Sequence, residues 1–183
     1  MDESGTPAGP CAMFTDDFGP ADLNWIYSAP SNIGGNKATA VSNGGNPLAA
    51  FVQSAVVHPA FPLKECWMSF AIDTGDLGDT DRAFVDFVGM YNLHFTFTKT
   101  NVIFNSGSSY PTPFRGVFRL REHNGCLHVE TAKMGDMQWT SVDGQMSQPW
   151  LGMAGHIEFG ITMGDGNNHT AVFSKFNLPP PPL

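Results

Sequence analysis

The sequence predicts an all-β domain in which about ten strands form a two-sheet antiparallel β-sandwich. Two patterns predict it: apolar and polar residues alternate with period two in almost every segment, and no segment has the period of an amphipathic helix. In addition, 20 glycines and 14 prolines separate the segments, as is typical of turns. Because 42% of the 183 residues are hydrophobic and 12% are aromatic, the chain can fill one buried core.

The clearest local pattern is a β-hairpin around Asn124-Gly125. Residues 116–122 alternate between an apolar face and a face that carries Arg119 and Arg121, and residues 126–130 alternate again. An Asn-Gly pair between two alternating runs favours a type I′ turn, which needs positive φ at both central residues. The two runs are therefore predicted to pair as antiparallel strands.

Nine further segments alternate in the same way and are rich in Val, Ile, Phe, Thr and Trp. In chain order they are residues 37–42, 49–57, 64–73, 82–88, 91–98, 101–105, 137–141, 156–162 and 169–177. The two ends have a different composition and are predicted to be extended arms. We expect an N-terminal arm at 1–13, the sandwich domain at 14–178 and a proline-rich tail at 179–183.

The composition excludes several classes of function. The chain has 9 Lys+Arg against 17 Asp+Glu, a formal net charge of −8, so nucleic-acid binding is disfavoured for lack of a basic face. Its apolar runs are too short for a membrane-spanning helix, and no membrane insertion is expected. The first residues lack the basic and apolar regions of a secretory signal. We interpret the three cysteines, Cys11, Cys66 and Cys126, as small buried hydrophobic residues. Their odd number and wide spacing do not suggest a disulfide framework or a metal site.

The order of these features resembles the concanavalin A-like lectin/glucanase superfamily, in its laminin-G-like jelly-roll branch. The resemblance rests on residues 14–18 followed by Trp25, on 66–73, on the hairpin 117–130, and on 157–161 with 171–176. It implies a lectin-like jelly roll of two curved antiparallel sheets. It also implies a frequent calcium site and frequent glycan binding on one face or rim.

The sequence predicts no enzymatic activity. Glucanases of this superfamily carry Glu-x-Asp-x-x-Glu on one strand, where alternation points the carboxylates into one cleft. None of the five glutamates of this chain has an acidic neighbour two positions away. Glu122 and Glu130 can approach each other across the hairpin, and we interpret them as part of a solvated face. The motifs of zinc proteases, serine hydrolases and phosphate loops are absent from the sequence as well.

The acidic loop 73–81 is the candidate metal site. Asp73, Asp76, Asp79 and Asp81 supply four carboxylates, and calcium prefers six or more oxygen ligands. The spacing is not that of an EF-hand. The alternative, which the composition of sandwich loops favours, is an exposed loop whose Asp and Gly residues satisfy turn geometry.

Four aromatic residues are candidates for glycan binding. Trp139, Trp150, Tyr110 and Tyr27 lie in or near predicted loops with Asn or Gln neighbours, a combination that suits stacking on a sugar ring and hydrogen bonding to its hydroxyls. The alternative is that these side chains close the ends of the core.

The low fraction of charged residues, 14%, points to a surface that recognises neutral glycans or is buried against other subunits. We expect a non-enzymatic, lectin-like component of a larger assembly, most simply a phage virion decoration (cement), head-fibre or tail-associated protein. Its expected partners are capsid or tail subunits, further copies of itself in an oligomer or lattice, and glycans, and its expected location is the virion surface. The alternatives are a free-standing, extracellular carbohydrate-binding module and, last, a glycosidase or lyase.

Overall fold

A computed structural model of the chain describes residues 16–19, 23–42, 48–55, 57–90, 92–104, 112–124, 126–135, 138–146, 152–162 and 167–177. In these ranges every strand pairing is antiparallel, and the strands form two sheets packed face to face. The predicted all-β sandwich is confirmed. No helix among the described residues is long and apolar enough to cross a membrane. The predicted arms 1–13 and 179–183 lie outside the described ranges.

Fifteen strands are present in the described part of the chain. They are β1 (Trp25–Ile26), β2 (Asn32–Ile33), β3 (Ala38–Ser42), β4 (Leu48–Gln53), β5 (Phe61–Pro62), β6 (Cys66–Asp73), β7 (Arg82–Val88), β8 (Leu93–Phe97), β9 (Asn101–Phe104), β10 (Thr112–Pro113), β11 (Gly116–His123), β12 (Cys126–Lys133), β13 (Thr140–Met146), β14 (Ala154–Thr162) and β15 (His169–Ser174).

The strands are divided between two sheets. Sheet 1 has the order β13-β12-β11-β6-β15-β3-β2. Sheet 2 has the order β1-β4-β14-β7-β8-β9-β10, and β5 pairs with the start of β14. In each order, three of the six adjacent pairs join strands that follow one another along the chain, and the other three join strands that are distant in sequence.

The strand count exceeds the expected ten because four strands have only two residues, too few to show alternation. The eleven longer strands correspond to the eleven alternating segments of the sequence. The largest displacement is in β13, which begins at Thr140 and overlaps the predicted segment 137–141 by only two residues. The hairpin is confirmed: His123 pairs with Cys126, and Asn124 has a φ of 50°.

Phenylalanine dominates the core between the sheets. The alternation works as expected on β11, where Phe118 and Leu120 are fully buried between the sheets while the arginines face outward. Phe159 of β14 lies at the centre, with its ring 4.8 Å from that of Trp25 and 4.7 Å from that of Phe173 across the sandwich. Edge-to-face and offset aromatic pairs of this kind add about 0.5–1.5 kcal/mol each beyond the burial of their area.

The first described segment is fixed to the core through the buried carboxylate of Asp16. Its oxygens accept hydrogen bonds from the Phe18 amide at 2.6 Å, the Trp25 indole at 2.6 Å and the Asn24 side chain at 3.0 Å. The Asp16 amide in turn donates to the Phe176 carbonyl at 2.9 Å. The two ends of the described chain therefore meet on one side of the core.

Two interpretations of the sequence are wrong. Cys66 is disulfide-bonded, whereas Cys126 is not part of a disulfide, so the cysteines are not all small buried hydrophobic residues. Glu122 and Glu130 do not form a solvated face, because both are buried. Glu122, which pairs with Leu127 in the hairpin, has its side chain on the face of β11 that points into the core. Glu130 has its side chain on the face of β12 that points away from the core. The two carboxylates therefore lie on opposite faces of sheet 1.

Candidate functional site

The outer face of sheet 1 carries a buried carboxylate held between two arginines. Glu130 of β12 lies directly opposite Arg119 of β11. Arg119 donates from Nε to one Glu130 oxygen at 2.6 Å, and Arg121 donates from Nη2 to the other at 3.0 Å. The Glu130 side chain is only 5% exposed, against 20% for Arg119 and 14% for Arg121. The Glu130 carboxylate therefore holds both guanidinium groups in place through these two hydrogen bonds.

An indole ring extends this arrangement. The guanidinium carbon of Arg119 lies 4.0 Å from the ring centroid of Trp139, a cation–π contact. Trp139 is half-buried and immediately precedes β13, the outermost strand of sheet 1. We call Arg119, Arg121, Glu130 and Trp139 the Arg–Glu–Trp cluster. Strand alternation places Trp67 of β6 on the same face, opposite Arg121.

The cluster keeps unused hydrogen-bonding capacity. Nε of Arg121 and the hydroxyl of Ser141, which lies opposite Glu130, are buried and have no hydrogen-bond partner in the described part of the chain. Unsatisfied buried polar atoms are rare in folded proteins and call for a specific explanation. Chemically, the cluster offers fixed donors and an indole ring with Arg119 over one face, and Glu130 offsets part of the positive charge.

A second polar group occupies the outer face of sheet 2. Asp86 of β7 lies directly opposite both Glu158 of β14 and His94 of β8. His94 is hydrogen-bonded to Asp86 at 2.5 Å, and His156 to Glu158 at 3.0 Å. The hydrogen bond to Asp86 raises the pKa of His94 above its usual value, although partial burial opposes this shift. Each carboxylate is therefore already engaged with a histidine.

The acidic loop uses its carboxylates to hold its own fold. Asp73 accepts the Gly75 amide at 2.9 Å, Asp76 accepts the Thr170 hydroxyl at 2.8 Å, and the fully buried Asp81 accepts the Gly78 amide at 2.9 Å. The fourth carboxylate of the set, that of Asp79, is on an exposed residue. Within the described ranges no group of three or more His, Cys, Asp or Glu side chains could hold a metal ion. Calcium binding by this loop stays a prediction.

Of the four aromatic candidates, the structure describes Trp139 and Tyr27, which lie beside different sheets. Trp139 belongs to the Arg–Glu–Trp cluster. Tyr27 follows β1 of sheet 2; it is 40% exposed, and its ring packs on Phe51 with 5.0 Å between ring centroids. Tyr110 and Trp150 lie outside the described residues. The glycan-binding role of all four stays a prediction.

Sequence reasoning missed the partners of Trp139. Arg119 and Arg121 were placed on an outer face, but their joint hold on Glu130 was not recognised. The signal was available, because a two-residue turn at Asn124-Gly125 fixes the pairing of residue 119 with residue 130. No turn in the sequence predicts the pairing of Asp86 with Glu158, since β7 and β14 are far apart in the chain.

Comparison with known proteins shows the fold. No protein-family model and no curated protein sequence matches the chain. A solved structure of the Crh5 transglycosylase in complex with NAG has a TM-score of 0.66 and 10% identity, over 94% of this chain and 87% of that one. Arcelin-5, a lectin-like defense protein from Phaseolus vulgaris, has a TM-score of 0.57 and 10% identity, over 89% and 95%.

A third similar structure comes from a phage. The CBM2 module of the evolved Dit of Lactobacillus casei BL23 phage J-1 has a TM-score of 0.55 and 8% identity, over 90% of this chain and 93% of that module. At such low identities the likeness shows the fold alone. The architecture is the lectin-type β-sandwich that the sequence resemblance implied.

Proposed function

We propose that the protein is a non-enzymatic, lectin-like β-sandwich that binds glycans through the Arg–Glu–Trp cluster. The observation that carries the proposal is Glu130, which is buried on an outer sheet face and holds two arginine side chains beside an indole ring. Sugar recognition needs fixed hydrogen-bond donors for hydroxyl oxygens and an aromatic surface for the apolar face of the ring. In this proposal the guanidinium groups of the cluster supply the donors, and the indole face that Arg119 does not cover supplies the aromatic surface.

The arrangement favours binding over chemistry. Glu130 accepts a charge-assisted hydrogen bond on each oxygen, so it orients the arginines and is not free to act as a general acid or base. The terminal nitrogens of Arg119 make no hydrogen bond with the residues that the structure describes, and they remain available to a ligand. The lectin-like and carbohydrate-binding-module neighbours support a sugar-binding use of this fold.

The test is a glycan array followed by titration of the best oligosaccharide. We expect Trp139→Ala to weaken binding by about two- to tenfold, since an aromatic contact contributes about 0.5–1.5 kcal/mol. Glu158→Gln, on the outer face of sheet 2, is the matched control and should bind as the wild type does. Absence of any bound glycan, or wild-type affinity in a folded Trp139→Ala protein, would refute the proposal.

We further propose that the protein acts as an exposed part of a larger assembly on a phage virion, as a decoration, head-fibre or tail-associated protein. The phage Dit module supports this role. So do the exposed apolar side chains of Leu23, Ile26 of β1 and Leu48 of β4, because exposed apolar surface favours attachment to other chains. The disulfide at Cys66 suits an oxidising location outside the cell.

The mass of the particle with which the protein purifies tests the assembly role. A mass far above 19.8 kDa would support it. A monomer that never joins a particle would favour the alternative, a free-standing carbohydrate-binding module.

An enzymatic alternative rests on one observation, the direct pairing of Asp86 with Glu158 across β7 and β14. Glycosidases use two carboxylates, and a transglycosylase is among the similar structures. Turnover of a polysaccharide panel that is abolished in Asp86→Asn and in Glu158→Gln would support this alternative over the binding function.

A further inference from the structure

A cationic groove of about 600 Å³ opens at one end of the sandwich. Three neighbouring strands of sheet 1 end there: β6 at Asp73, β11 at Gly116 and β12 at Lys133. From sheet 2, the turn between β8 and β9 contributes Lys99. The side chains of Ile72 and Phe114, both buried, form its apolar floor. The groove is therefore a feature of the sandwich itself rather than of a single loop.

The charge of the groove is opposite to that of the chain. Lys99, Arg115 and Lys133 line it, and among the described residues Asp73 is the one acidic residue of the lining. All three cations are exposed, and none forms an ion pair with a residue that the structure describes. Asp73 already accepts the Gly75 amide. A chain with a net charge of −8 thus leaves three of its nine cations unneutralised around one concave surface.

The groove adjoins the Arg–Glu–Trp cluster. Arg115 precedes Arg119 by four residues along the same segment, which is about 13 Å at the rise of an extended strand. Val117 and Ala132, which pair across β11 and β12 on the outer face of sheet 1, lie between the two arginines. Together, the groove and the cluster contain five of the nine cations of the chain and, within the described ranges, two carboxylates, Asp73 and Glu130.

We infer that the glycan bound by this protein is acidic, and that the groove holds a carboxylate, sulfate or phosphate group of a sugar unit next to the one on the cluster. This inference rests on the proposed function and names its ligand class. Lysine and arginine groups in an open groove bind anions and impose a salt dependence that a neutral ligand lacks.

The test compares binding of the full-length protein to uronic acid oligosaccharides and to neutral oligosaccharides of equal length. We expect the wild type to prefer the acidic series by about tenfold or more at low salt, as three partly exposed charge contacts permit. Substituting Lys99→Gln, Arg115→Gln and Lys133→Gln together should abolish this preference. Lys37→Gln, an exposed cation outside the groove, is the matched control and should retain it.

The outcomes separate this inference from the function on which it rests. Equal binding of the two series, or a preference that survives in the triple variant, would overturn the inference; the function itself stands in that case if Trp139→Ala still loses binding. If no oligosaccharide binds, the proposed function fails. Polyphosphate then serves as the probe: binding that the triple variant loses supports the anion site, and no binding overturns it.

Discussion

Replacing the buried Glu130 by glutamine should lower the free energy of unfolding more than the same replacement at the more exposed Glu158. In Glu130→Gln the amide oxygen can still accept from one arginine, but the amide nitrogen is turned toward the other guanidinium, where it cannot accept a hydrogen bond. One charge-assisted bond is lost and the second becomes weaker. Each such bond contributes about 1.5–3 kcal/mol, and the partly exposed arginines regain some hydration. The expected loss in the free energy of unfolding is about 2–3 kcal/mol.

Urea unfolding followed by tryptophan fluorescence measures this loss as a shift of the midpoint at constant slope. Glu158→Gln is the matched control, because its side chain is 32% exposed and bonds one histidine. We expect the control to lose less than about 1 kcal/mol. Equal stability of the two variants would show that Glu130 does not organise the outer face of sheet 1, and the proposed binding site would lose its structural basis.

Two further predictions concern sheet 2. The pKa of His94 is raised by Asp86, so the stabilisation by this pair is complete below the ordinary histidine pKa of 6.5 and is lost as the pH rises through the higher folded-state value. His94→Asn should flatten that decline in the unfolding midpoint, and an unchanged decline would contradict the assignment. Gly160→Ala should cost about 3 kcal/mol or prevent folding, because the added Cβ would lie 1.9 Å from the Ala49 carbonyl oxygen. Gly34→Ala, which meets nothing within 4 Å, should unfold as the wild type does.

The alternation of apolar and polar residues was sufficient to identify the strands, but it did not predict which strands lie next to one another in a sheet. Alternation identified the longer strands, and the Asn124-Gly125 turn fixed one register, from which the contact of Arg119 with Glu130 follows. By contrast, β6 lies between β11 and β15 in sheet 1. That position depends on packing across the whole core, and no local signal specifies it.

The buried acids illustrate the same limit. A glutamate in an alternating strand is expected on the solvated face, because burying a charge without a partner is costly. Glu122 lies on the inward face of β11, yet its carboxylate accepts a hydrogen bond from the backbone amide of Glu65, with 2.6 Å between Oε2 and N. Its partner is 57 residues away in sequence. Composition and spacing cannot reveal such a pairing, whereas the hairpin register reveals that of Glu130.

The distribution of charge links the fold to the proposed function. Sheet 2 presents Asp86 and Glu158 on its outer face, each engaged with a histidine, whereas sheet 1 and its adjoining groove hold most of the arginines and lysines that the chain possesses. With so few cations, solubility alone does not explain why four of the nine lie on or next to the strand pair β11–β12. A ligand that needs both an aromatic platform and positive charge does explain it. The same asymmetry would orient an anionic glycan toward sheet 1 before contact, which raises the rate of association at low ionic strength. Salt should therefore slow the association of an acidic oligosaccharide with the wild type far more than with the triple groove variant.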